Sequence, residues 1–213
     1  MNLLLVFPLD NNGFSLYFVS VAIGFILGSI PFGYLIARIK KVDIRTTGSK
    51  NIGFTNVLRT LGLRFAIPVL VLDIVKGLFP VLFAKDLSLI TVLVGLGAVL
   101  GHMFTPWLGF KGGKGVATTI GIMMILAPKV LFVCIVIFFI TLLIFSYVSL
   151  ASLSFAIFLP ISVLVLYPGQ NLLLISIFII AALIIIRHKD NIIRLIKKTE
   201  SKTTFVKTLK SNL

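Results

Sequence analysis

The stretch Gly109-Phe110-Lys111-Gly112-Gly113-Lys114-Gly115 sets four glycines and two lysines within seven residues, between segments apolar enough to span a membrane. Glycine removes the Cβ that blocks close approach, so successive backbone N–H groups can line one concavity while two ammonium groups add full charge. The run after it, Val116 onward, reads as a helix whose positive dipole end faces the same spot. This is chemistry for holding an anion, with phosphate the natural guest. A plain turn with two positive-inside lysines would explain the cations but not the glycines. The nucleotide P-loop does not apply. Leu108 stands where that motif needs its leading glycine, and Gly115 where it needs a magnesium-binding Ser or Thr.

Three other polar stretches carry similar potential. Gly28-Ser29-Ile30-Pro31-Phe32-Gly33 leads to a loop from Asp43 to Asn56 that alternates hydroxyls, amides and cations with glycine. Arginine grips two oxygens of an oxyanion while Ser, Thr and Asn add neutral donors. A solvated loop of ordinary turn residues accounts for the same stretch equally well. The run Ser146 to Ser152 is the third. Arg187-His188-Lys189-Asp190-Asn191 is the fourth, and on a continuing helix His188 and Asn191 lie one turn apart on one face. Asp190 and Arg194 read as a structural i,i+4 pair. For His188, and for His102 before the glycine turn, the plain alternative is an interfacial histidine bonded to solvent or headgroup.

Other chemistries find no residues. The six acidic side chains (Asp10, Asp43, Asp73, Asp86, Asp190 and Glu200) nowhere cluster with His at ligand spacing, so no metal is expected. Asp73 and Lys76, three apart in an apolar run, read first as a structural ion pair and second as organisers of a substrate site. No Gly-x-Ser-x-Gly elbow occurs, and Cys134 has no partner and reads as filler. Chemistry here must lean on the substrates, and a donor that already carries a good leaving group, such as an acyl phosphate, would fit.

The elements that must position these residues are membrane helices. Only 12% of the 213 residues are charged and 59% are hydrophobic, against roughly a quarter charged in soluble domains. Nucleic acid is not the reading of the +14 net charge, because the cations follow topology. Spans are expected at about 14–37, 65–84, 89–104, 116–127, 130–145, 153–166 and 172–186. The turn 85–88 and the Pro-Gly turn at Pro168-Gly169 reverse the chain. All Lys and Arg except Lys76, Lys85 and Lys129 then fall on one side, which the positive-inside rule makes cytoplasmic. The expected fold is an all-α integral membrane protein, a compact bundle of about seven transmembrane helices. It has its N-terminus outside, its C-terminus cytoplasmic, one domain over residues 1–213 and a basic tail from about 187. Segments 116–127 and 153–166 are short of the roughly twenty residues of a full span.

Taken in order, the four stretches resemble the bacterial acyl-phosphate:glycerol-3-phosphate acyltransferase family. The resemblance rests on Gly28 to Gly33 with Asp43 to Arg59, on Gly101-His102-Met103-Phe104 with Phe110 to Thr118, on Tyr147-Val148-Ser149-Leu150, and on Arg187 to Asn191 through Arg194-Leu195. It implies transfer of a fatty acyl group from acyl phosphate to the C1 hydroxyl of glycerol 3-phosphate, giving lysophosphatidic acid for phospholipid synthesis, with no cofactor. It implies that Gly112, Gly113, Lys114 and Gly115 bind the donor phosphate. Ser29, Arg45, Ser49, Asn51, Asn56 and Arg59 are then implicated with glycerol 3-phosphate, as are Ser149, Ser152, His188 and Asn191. Lys114, Ser149, His188 and Asn191 are taken as catalytic. An acyl-phosphate-forming enzyme is the implied partner, and the bacterial inner (plasma) membrane the implied location. The sequence departs from the family pattern at Lys50 and Lys198, where glycine is usual, at Phe54, where a small residue is usual, and at Ser146, where arginine is usual. Two readings compete. A transporter or channel for a phosphorylated anion wants its site near mid-bilayer, where only Asp73 and Lys76 lie. A structural subunit binding anionic lipid through its tail leaves the glycine turn unexplained.

Overall fold

Pro31 interrupts the first apolar run, and much of the fold near it follows from how the freed backbone groups are satisfied. The computed structural model describes residues 11–84 and 89–203, with side chains from residue 15 onward. Asp10, the turn expected at 85–88 and the tail beyond 203 lie outside the described residues. Among the described residues all regular structure is helical. The chain divides into two compact units, Met1–Leu126 and Ala127–Leu213.

The first unit begins with α1 (Asn11–Gly28) and α2 (Phe32–Ile39), one apolar stretch broken at Ser29-Ile30-Pro31. Proline has no N–H and restricts the residue before it, so the helical ladder lapses there. Two carbonyls at the break find partners from elsewhere. Thr105 Oγ1 donates to Ser29 O at 2.6 Å and Lys76 Nζ to Ile30 O at 2.7 Å. This is how an apolar environment tolerates a broken helix. A polar loop leads to α3 (Phe54–Leu61) and α4 (Leu63–Ala84), then α5 (Leu89–Met103), a 3-10 turn at Pro106–Leu108 and α6 (Val116–Leu126).

Glycine sets the helix contacts of this unit. On α1, Cβ atoms at Gly24 and Gly28 would strike the carbonyls of Val94 and Ala98. On α5, Cβ atoms at Gly97 and Gly101 would strike those of Val21 and Phe25. Each helix therefore carries a small-xxx-small pair that lets the two backbones touch, the packing used where lipid removes any hydrophobic drive between helices. Gly77 of α4 against Thr118 O, and Gly121 of α6 against Ile74 O, repeat the device.

The second unit comprises α7 (Pro128–Phe145), α8 (Val148–Leu166), α9 (Asn171–Arg187) and α10 (Lys189–Ile196). Helix α7 buries Val130, Cys134 and Leu142 while Phe132, Phe139, Ile140 and Ile144 are exposed. Such an apolar outer surface belongs in lipid. Cys134 is core filler, with its thiol 3.8 Å from Ser162 Oγ. Helices α9 and α10 meet at 56°. The chain then returns to the end of α7, where Thr203 N donates to Ser146 O at 2.9 Å.

The chain is thus an all-α, multi-pass integral membrane protein, with boundaries that shift from those expected. Five described helical stretches are long and apolar enough to cross, six if α9 and α10 count as one. Helix α8 starts at Val148, not at 153, because Ser149 and Ser152 fold into its first turns, which gives it 19 residues. Helix α6 has 11 residues, about 16 Å of rise, against a hydrocarbon core of about 30 Å.

Candidate active site

In the first unit the glycine-lysine turn folds back on the end of α5. Gly112 N donates to Met103 O at 3.1 Å and Gly113 N to His102 O at 3.0 Å. A Cβ at Gly112 would meet those same carbonyls, and one at Gly113 would meet the His102 ring. These two amides were expected to line an anion cradle. Instead they cap α5, whose last carbonyls have no helical partner. Gly115, at φ +88, makes the turn into that helix, and the half-buried Lys114 precedes it.

Ser29 is buried at the α1–α2 break. Its hydroxyl donates to Ile26 O at 2.7 Å and accepts from Trp107 Nε1 at 2.8 Å, so toward a ligand it has only acceptor capacity left. The indole thereby joins Ser29 to the segment leading into the glycine turn.

The 43–56 loop is organised by Asn56, 1% exposed. Its Oδ1 accepts Ser49 N at 2.8 Å, and its Nδ2 faces Ile44 O, Thr47 O and Asn51 O at 3.0, 3.1 and 2.8 Å. The side chain expected to touch substrate is committed to holding the loop's shape. Asn51 Oδ1 in turn accepts Gly53 N at 2.9 Å, an Asx turn leading into α3. Arg45 lies on the loop surface, its Nε and Nη2 held by Asp43 at 2.9 and 2.7 Å and its guanidinium carbon 4.8 Å from the Tyr34 ring centre. Hydrogen bonds from Arg45 bring the Asp43 carboxyl down to about 2 and push the arginine up. Nη1 is left for an added oxyanion. Arg59 is exposed in the last turn of α3.

In the second unit a residue that the sequence reading passed over organises the site. Glu200 Oε1 accepts Ser149 Oγ at 3.0 Å and Asn191 Nδ2 at 2.9 Å, while Oε2 pairs with Arg194 Nε at 2.6 Å. Arg194 therefore pairs with Glu200, not with Asp190 as the i,i+4 spacing suggested. Burial raises the Glu200 pKa, but bonds from Arg194, Asn191 and Ser149 outweigh it and hold the group below the ordinary glutamate value. The available signal was an acid, one of two with Asp190, within a basic tail. Ser152 Oγ bonds Val148 O at 2.9 Å, within its own helix.

His188 occupies the bend between α9 and α10, so the continuous helix expected through it is absent. The residue is 2% exposed and Nδ1 lies 2.8 Å from Ile184 O. A carbonyl only accepts, so a neutral imidazole here carries its proton on Nδ1 and its lone pair on Nε2.

Residues 18–198 match the model of the glycerol-3-phosphate acyltransferase family. The chain belongs to that family. Among its curated relatives, the glycerol-3-phosphate acyltransferase of Geotalea daltonii is 48% identical over 180 residues, covering 83% of this chain and 92% of that one. The enzyme of the same name from Leptospira borgpetersenii is 44% identical over 190 residues, covering 84% and 87%. The crystal structure of PlsY (YgiH), an integral membrane glycerol 3-phosphate acyltransferase, in its glycerol 3-phosphate form superposes with a TM-score of 0.84 at 39% identity. It covers 91% of this chain and 98% of its own. The lysophosphatidic acid form gives 0.80 at 39% identity, with 87% and 94% covered. Against the family pattern noted in the sequence, Lys50 (φ 59) and Lys198 (φ 55) hold left-handed backbone at positions where glycine is usual.

Proposed function

We propose that this protein transfers a fatty acyl group from acyl phosphate to the C1 hydroxyl of glycerol 3-phosphate, releasing lysophosphatidic acid and inorganic phosphate. The observation that carries it is membership of the glycerol-3-phosphate acyltransferase family across nearly the whole chain. The glycerol 3-phosphate and lysophosphatidic acid forms of the similar PlsY structure support the acceptor and the product. The acyl-phosphate donor is supported by the sequence: no activated nucleophile stands ready to form an acyl-enzyme, and a glycine-lysine turn opens an apolar helix.

The C1 oxygen attacks the acyl carbonyl, the carbon–oxygen bond to phosphate breaks, and the departing phosphate takes the hydroxyl proton. Lys114 and the amides that follow it neutralise the donor phosphate. Gly112, Gly113 and Gly115 give the turn its shape. The family resemblance implies Ser29, Arg45, Ser49, Asn51 and Arg59 as acceptor residues, with Asn56 acting through the loop it holds. It implies Ser149, Ser152, His188 and Asn191 as well. Full cationic charge is required because two phosphorylated reactants repel strongly where water is scarce.

On this reading one membrane domain covers 1–213, in the bacterial inner membrane. Its N-terminus is outside, its basic segments cytoplasmic, and α6 is the short member of seven segments. An acyl-phosphate-forming enzyme supplies the donor.

Purified protein incubated with palmitoyl phosphate and labelled glycerol 3-phosphate should yield labelled lysophosphatidic acid, and Lys114→Ala should abolish it. Product from palmitoyl-CoA but not from palmitoyl phosphate would overturn the donor assignment. Undiminished turnover by Lys114→Ala would remove the loop from the reaction.

A further inference from the structure

A buried charged cluster within the first unit has no part in the chemistry just described. Asp73 and Lys76 of α4 and His102 of α5 are 3%, 5% and 4% exposed. Asp73 Oδ1 lies 2.7 Å from Lys76 Nζ and 3.6 Å from His102 Nδ1. Charges in a membrane helix are costly, and a merely neutral pair is replaced by apolar residues without loss. What distinguishes this pair is what each end reaches.

We propose that Asp73 and His102 are positioning residues for the glycine-lysine turn. His102 grips the turn twice, with its backbone oxygen taking the Gly113 amide at 3.0 Å and its ring filling the space where a Gly113 Cβ would stand. The ring holds that place only if its rotation is limited, and the Asp73 carboxylate, with Oδ1 3.6 Å from Nδ1, biases that rotation through its charge at a distance too long for a hydrogen bond. Lys76 neutralises that carboxylate and spends a second hydrogen on Ile30 O, at 2.7 Å, next to Ser29 in the α1–α2 break. One carboxylate thus registers two stretches of the candidate site, the Ser29 break and the turn that carries Lys114.

The kinetic part of the test rests on the proposed role of the turn in binding the donor phosphate; the exchange part does not. His102→Leu leaves the Asp73–Lys76 pair in place, while Asp73→Asn combined with Lys76→Met removes charge without leaving an ion unpaired. Hydrogen exchange read by mass spectrometry in detergent should show the 104–118 peptide exchanging about tenfold faster in both variants, with α7 to α9 unchanged. In steady-state assays both should raise KM for palmitoyl phosphate by about tenfold or more. His102→Leu should leave KM for glycerol 3-phosphate at its wild-type value. His102→Asn, whose amide nitrogen reaches the Nδ1 position, should recover part of the loss. Wild-type exchange in the turn for either variant overturns the proposal, as does a wild-type donor KM in the doubly substituted protein, which would leave charge neutrality as the pair's whole role. Wild-type protein inactive with palmitoyl phosphate would count against the donor assignment, and the exchange measurement would then decide the proposal alone. If His102→Leu does not accumulate in membranes, the doubly substituted protein decides both parts.

Discussion

Asn191 Nδ2 donates to Glu200 Oε1 at 2.9 Å, onto the oxygen that also receives Ser149 Oγ. Two expected acceptor-site residues are thereby oriented by one carboxylate. Glu200→Gln keeps the shape and loses the charge, so the Arg194 pair and both remaining bonds weaken. The expected cost is about 2 kcal/mol, read as a lower thermal midpoint in detergent with reduced turnover. Glu200→Asp, which retains the charge on a shorter stem, should fall between.

The same carboxylate sets an acid limit. Its pKa in the folded protein is below the unfolded value of 4.5, so its stabilisation is complete above that value and is lost as pH falls through the lower, folded value. The thermal midpoint should therefore fall at acid pH below the ordinary glutamate range. In Glu200→Gln that part of the pH dependence should vanish.

Lys50 and Lys198 sit at φ 59 and 55, where a Cβ crowds the following carbonyl. Replacing either with glycine should stabilise the protein by about 0.5–1 kcal/mol, seen as a small rise in thermal midpoint. A fall in midpoint would show that the lysine side chains make contacts worth more than the strain.

Gly101 packs its Cα against Phe25 O. Gly101→Ala pushes α1 from α5 and should cost about 1–3 kcal/mol, lowering the yield of folded protein. Gly62→Ala has open space around its Cβ yet a φ of +83, so its milder loss should come from the backbone alone.

The topology is checked by single cysteines in a Cys134→Ala background. Lys129→Cys, exposed at the start of α7, should be labelled from outside intact cells by an impermeant maleimide, and Lys202→Cys only after permeabilisation. Labelling of both from one side would overturn the seven-segment reading.

Much was legible from local sequence. Apolar windows and turn residues marked the chain as a helical membrane protein, and the glycine-lysine turn with its three companion stretches marked the family. These signals are short-range, since helix periodicity, Pro and Gly preferences and charge placement act over a few residues. The break at Pro31 was not foreseen: the first span was expected to run through it, over about 14–37, whereas α1 ends at Gly28 and α2 begins at Phe32.

What only the tertiary structure decided are the uses of groups far apart in the chain. Thr105 serves a carbonyl 76 residues earlier and Lys76 one 46 earlier, and no window reveals such pairings. The side chain of Asn56 proved to hold its loop, the amides of Gly112 and Gly113 to cap α5, and Glu200 to gather Ser149 and Asn191 across 51 and nine residues. The physical reason is common to all of them: a buried polar group must find a partner wherever packing brings one. Composition can name the groups with that need, but only the packed helices determine who meets it.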